Sequence, residues 1–170
     1  MEREPEYVAD LRTTVDRAAE ELRAIPDAIA GARPAPGKWS VKEIVGHLID
    51  SAANNHQRFV RARWQDDLIF SPYAQDDWVA AQDYLTAPWP ELVTLWQSYN
   101  RHLARVMVGV PPAVRTRVHR RHNLDVIAWQ PISASEPATL EYFMRDYVGH
   151  LRHHLRQIAR IVPQFVSPAT

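Results

Sequence analysis

Three histidines fall within five positions of the stretch GHLRHHLRQI: His150, His153 and His154. The chain contains no cysteine, so thiolate nucleophiles and thiolate ligands are excluded together, leaving histidine and carboxylates as the strong ligands for a transition metal. Residues four apart on a helix share a face and stand about 6 Å apart along its axis, so His150 and His154 can direct both imidazoles at one ion. His153 is turned about 100° from His154 and competes only as an i, i+3 alternative with His150. Two imidazoles leave a site incomplete. His47, set among Ile44, Leu48 and Ser51 in an earlier amphipathic segment, offers a third, because metal sites in helical bundles are built from inward-facing side chains on neighbouring helices. Taken singly, each part has a plainer reading: a lone His-x-x-x-His recurs by chance, and a histidine near a core is usually hydrogen-bonded to backbone or carboxylate.

Three neutral imidazoles would leave a divalent ion its full charge and an open position, the arrangement of a catalytic site rather than a structural one. A water there has its pKa lowered towards about 7, and a thiol is deprotonated outright. The residue after His150 is Leu151, so the glutamate that serves as general base in His-Glu-x-x-His proteases is missing. Thiol activation needs no such base and is modestly favoured over hydrolysis. Asp50 and Asp146, one turn from His47 and His150, are candidates to fix imidazole tautomers, with exposed helix carboxylates as the alternative. Tyr147 and Gln157 could face the site mouth, and Trp78 and Trp129, in two long loops, are candidate cavity walls. The run RTRVHRRH, 115–122, could grip phosphates or carboxylates or merely solvate a loop, and His119 with His122 makes a second metal pair that lacks a third ligand.

The elements that must position these residues are marked by proline. Thirteen prolines and five glycines punctuate four proline-free stretches of helical period. The first runs from about Glu6 to Ile25 with Leu11, Val15, Ala18 and Leu22 in register. The second has the best-marked start: Ser40 and Glu43 fit a reciprocal capping box, with Trp39 placed to staple onto Ile44, and its apolar face reaches about Trp64. The third follows Pro88-Trp89-Pro90 and stops at Pro111-Pro112, and the fourth runs from near Thr139 to Pro163. A short helix is expected around Asp76 to Asp83, and TRVHRR with LDVIAW predicts a small hairpin. With no sustained period-2 pattern, the expected fold is all-α, a four-helix bundle with long inter-helix loops, in one domain over 1–170 with its core at about 6–162.

Lysine plus arginine and aspartate plus glutamate balance at 20 each, so no global field recruits nucleic acid or an anionic membrane. The charged start and the lack of a long apolar run predict a cytoplasmic protein without a membrane partner. The segments GKWSVKEIVGHLIDS (37–51), SPYAQDDW (71–78) and YVGHLRHHLRQI (147–158), in that order, resemble the DinB superfamily, most closely its YfiT-like branch. The family's histidine on the second helix and His-x-x-x-His on the fourth fall on His47, His150 and His154. The resemblance implies a four-helix bundle, a divalent metal such as zinc or nickel, frequent homodimers and, in some members, transfer of a low-molecular-weight thiol such as bacillithiol or mycothiol. The expectation is a metal-dependent enzyme acting on a small molecule, with a non-catalytic bundle that works through dimerisation as the alternative.

Overall fold

The computed structural model describes residues 4–163. Four long helices form the frame: α1 (Glu6–Arg23), α3 (Val41–Ala62), α5 (Trp89–Val108) and α8 (Leu140–Ile161). Short elements decorate it: α2 (Asp27–Gly31), α4 (Gln75–Gln82), α6 (Pro112–Arg115), α7 (Leu124–Ile127), β1 (Val118–His119) and β2 (Ala138–Thr139). Helices α1 and α3 both pack against α5 and α8, and their stripes meet in one core centred on Phe59, Trp96, Phe143 and Tyr147. Among the described residues no helix is long and apolar enough to cross a membrane.

Local chemistry sets the boundaries. Both arms of the capping box form at α3: Glu43 N donates to Ser40 Oγ at 3.2 Å, and Ser40 N donates to Glu43 Oε2 at 2.8 Å. Thr139 Oγ1 caps α8 by accepting from Tyr142 N at 3.1 Å. Trp39 lies with its ring 5.1 Å from that of His47. Helix α1 stops at Arg23, two residues short of the expected Ile25, since Pro26 restarts the chain as α2. Asp83, left-handed at φ 44°, ends α4.

The expected hairpin does not form. Strand β1 pairs antiparallel with β2, which leads directly into α8, with Val118 opposite Thr139 and His119 opposite Ala138. LDVI is instead the helical turn α7. Its entry is fixed by Asn123, whose side chain accepts from Phe70 N at 3.1 Å and donates to Phe70 O at 2.8 Å, so the chain after His122 is tied to residue 70 and cannot turn back along β1.

Candidate metal centre

Helices α3 and α8 lie side by side, and each offers histidine from a turn where a foreign ring lies on the backbone. A Cβ on Gly46 would stand 2.1 Å from the Tyr84 ring, and one on Gly149 would stand 3.0 Å from Trp129. Only glycine leaves room for these rings, and the next residues are His47 and His150. His47 is 1% exposed, while His150 and His154 are half-buried.

The three imidazoles converge by their Nε2 atoms. His150 Nε2 lies 3.3 Å from His47 Nε2 and 3.0 Å from His154 Nε2. Among the described residues this is the one group of three or more histidine or acidic side chains whose ligand atoms all fall within 4.8 Å of one another. Burial pushes the pKa of His47 down to about 3, that of His150 to about 2 and that of His154 to about 4, with the neighbouring imidazoles adding to the depression in each case. All three rings are therefore neutral near pH 7, the state a metal ligand requires.

Tautomers test whether these residues fit a cation. Gln157 Oε1 accepts from His154 Nδ1 at 2.9 Å, which places that ring's proton on Nδ1 and leaves Nε2 as a bare lone pair. Ser51 Oγ, 3.4 Å from His150 Nδ1, is placed to accept in the same way. Two lone pairs facing each other at 3.0 Å repel, and a cation between them removes the conflict. The spacing also suits one: zinc–nitrogen bonds of about 2.0–2.1 Å in a tetrahedron separate their nitrogens by about 3.3 Å. Buried His47 Nδ1 has no hydrogen-bond partner among the described residues. The residues fit a divalent ion.

Beside the cluster a cavity of about 240 Å³ opens between α3, α8 and the loops before α4 and after α7; its lining includes His47, His150, Arg58, Tyr73, Tyr147 and Trp129. Trp129 lines this cavity. Asp146 does not hold His150. Its carboxylate accepts from Trp129 N at 2.9 Å and Gln130 N at 2.7 Å, anchoring the loop that carries the wall, and burial raises its pKa. Nor is Asp50 a histidine partner or an exposed carboxylate. It is 2% exposed, turned from the His47 face of α3 towards α4, and accepts from Tyr84 Oη at 2.7 Å and Gln82 Nε2 at 2.6 Å; burial, again the largest influence, lifts its pKa. Tyr147 is buried and donates to Asn100 Oδ1 at 2.6 Å, so its ring, not its hydroxyl, serves the cavity. Trp78 is no wall either: it packs on Tyr73, with ring centroids 5.0 Å apart, outside the cavity lining. His153 is exposed, with its ring 5.4 Å from that of Trp129.

Three of the four arginines in the basic segment are engaged within the fold. Arg117 donates to Gln65 O, Arg121 pairs with Asp67 at 3.0 Å and Arg115 with Glu141 at 3.4 Å. His119 Nδ1 and both ring nitrogens of His122 meet backbone groups, while buried His119 Nε2 has no hydrogen-bond partner among the described residues. Ser51, Asn55 and Arg58 were not singled out from sequence, although each follows His47 by a spacing that returns to the same helix face.

The sequence profile of the DinB superfamily matches residues 10–158. YfiT of Bacillus subtilis (strain 168), provisionally designated a metal-dependent hydrolase, is 25% identical over 126 residues, covering 74% of this chain and 65% of its own length, just under two thirds. A Geobacillus kaustophilus (strain HTA426) protein with the same provisional designation is 24% identical over 156 residues, covering 90% and 76%. The solved structure of Bacillus subtilis YfiT, described as having an unusual four-helix bundle topology, superposes with a TM-score of 0.72 at 22% identity over 96% of this chain and 90% of that one. A mycothiol-dependent maleylpyruvate isomerase shares the fold at a TM-score of 0.61 and 13% identity, over 97% of this chain and 61% of that one. On the extent of the profile match, the chain belongs to the DinB superfamily.

Proposed function

We propose that the chain is a metal-dependent enzyme in which His47, His150 and His154 hold one divalent ion, zinc or nickel, to activate a low-molecular-weight thiol or water against a small-molecule substrate. The observation that carries this reading is the meeting of three Nε2 atoms, 3.0 and 3.3 Å apart, beside a cavity that His47 and His150 line. The designations of the relatives and the thiol dependence of the isomerase with the same fold support it. When bound, the ion supplies positive charge that lowers the pKa of an adjacent thiol or water.

The chain's own residues do the rest. Gln157 and Ser51 orient two imidazoles through their Nδ1 atoms. Tyr73, Phe143, Tyr147 and Trp129 wall the cavity and exclude water from the reacting groups. A thiol of the bacillithiol or mycothiol kind is favoured over water by the fate of the carboxylates. Asp146, which lines the cavity, has its carboxylate committed to two backbone amides, and Asp50 faces Tyr84 and Gln82, so neither stands ready as a general base for water.

The test uses untagged full-length protein loaded with zinc or nickel, assayed with bacillithiol, mycothiol and glutathione against electrophiles, beside a panel of esters and amides. Thiol-dependent turnover that a chelator abolishes is the expected result. Ester or amide hydrolysis without thiol reassigns the site to water activation. A metal-free protein inactive in both panels contradicts the proposal, and sedimentation of the same sample reads whether it is a homodimer.

A further inference from the structure

We propose that Arg58 forms an anion subsite at the end of the cavity away from the three histidines, and that the substrate carries a carboxylate held by its guanidinium. The proposal rests on reading the cavity as the substrate site and adds the chemical class of what enters it.

Arg58 is 5% exposed, and a buried guanidinium ordinarily has a carboxylate partner. Lys42, the other buried lysine or arginine among the described residues, obeys this rule, with Asp27 3.0 Å away and two backbone carbonyls at 3.2 and 2.9 Å. Arg58 does not. Its one hydrogen bond among the described residues runs from Nη2 to Ser71 O at 2.9 Å, and the Tyr73 and Phe143 rings lie 6.0 and 5.9 Å from its Cζ. Among the described residues no carboxylate figures among the charges acting on it; burial lowers its pKa, and the Tyr73 phenol is the one group that raises it. A guanidinium carries five donors in a planar fork, so most of its capacity is unused.

The unused capacity faces the cavity, which Arg58 lines. Residues 47, 51, 55 and 58 return to one face of α3, so His47, Ser51, Asn55 and Arg58 form a polar row in the lining. His47 and Arg58 stand about 16 Å apart along the axis, and long helical side chains lean towards the N-terminus, which brings the guanidinium back towards the histidines. One small molecule can then meet both ends. Between them, buried Asn55 Oδ1 has no partner among the described residues and can accept from a substrate hydroxyl or amide. Among the described residues Arg58 is the single lysine or arginine in the lining, and the Asp146 carboxylate there is held by backbone amides. One fork of single positive charge between aromatic walls suits a carboxylate better than a phosphate dianion.

The test is calorimetric titration of metal-free protein, which keeps added ligand from binding through an ion at the histidines. Phenylacetate, phenylacetamide and benzylphosphonate are titrated into wild type, Arg58→Lys and Arg58→Gln, with circular dichroism to verify folding. Phenylacetate should bind wild type at least about tenfold more tightly than phenylacetamide, the size of one charge-assisted contact. The preference should shrink in Arg58→Lys, which keeps the charge and a donor for Ser71 but loses the fork, and vanish in Arg58→Gln. Equal binding of acid and amide by wild type, or a preference that survives in Arg58→Gln, overturns the proposal. Tighter benzylphosphonate binding overturns the choice of carboxylate. If Arg58→Gln does not fold, the wild-type ratio and its reduction in Arg58→Lys decide, an unreduced ratio counting against the subsite. Metal content of wild type is measured separately, so a protein that binds no metal removes the centre without altering these outcomes.

Discussion

Two groups of histidines in this chain have opposite fates. On α3 and α8, Nε2 atoms of His47, His150 and His154 point at one another at 3.0 and 3.3 Å. On β1 and in the turn that follows it, His119 Nδ1 meets Asp66 O at 2.7 Å, while His122 meets Glu136 O at 2.7 Å and accepts from Leu124 N at 3.2 Å. His119 and His122 are as buried as His47, so burial does not separate the groups. The difference is what the surrounding backbone needs. Loop segments leave amides and carbonyls unpaired, and a buried imidazole satisfies them. Long helices satisfy their own backbone, so the Nε2 atoms of His47, His150 and His154 are left to face one another.

The largest way to break this contrast is to remove the helical pair. The His150→Ala, His154→Ala variant should fall from about one equivalent of metal to near zero by elemental analysis, whereas His119→Ala, His122→Ala should retain it. Metal retained by the first variant or lost by a folded second one would reverse the assignment.

A smaller effect is the pH dependence of stability that the helical rings confer. Unfolded imidazoles titrate near 6.5, but burial holds the three helical rings down to about 3, 2 and 4 when folded. Below pH 6.5 the unfolded chain takes up protons that the folded chain refuses, so this stability is fully present above 6.5 and is lost as pH falls. The slope is up to about 1.4 kcal/mol per pH unit for each ring. Denaturant unfolding of metal-free protein between pH 6.5 and 5 should show it, and the helical double variant should lose most of it. An unchanged slope in that variant would place the proton uptake elsewhere.

The smallest effect belongs to the loop. His122→Ala strands a buried carbonyl and amide and should cost about 1–3 kcal/mol of stability with metal content unchanged. Unaltered stability would show that the loop does not depend on this ring.

Much of this arrangement is legible in the residues themselves. Apolar stripes, proline stops and the Ser40–Glu43 box mark the four helices, and the i, i+4 spacing of His150 and His154 puts two imidazoles on one face. What stays hidden depends on which loop covers which helix. Asp50 and Asp146 look alike in sequence, each one turn from a histidine, yet one receives Tyr84 and Gln82 and the other the Trp129 loop. The strand partner of β1 was hidden too, because the clasp between Asn123 and Phe70 joins residues 53 apart. Arg58 was within reach, since positions 51, 55 and 58 repeat the face of His47, but its lack of an acidic partner emerges only from packing.

The central claim is that one cation sits among imidazoles from α3 and α8, and X-ray absorption on untagged protein as purified tests it most directly. The predicted spectrum has one zinc or nickel per chain with three imidazole nitrogens at about 2.0–2.1 Å. A protein without stoichiometric metal, or a metal whose ligand shell lacks imidazole, would contradict it.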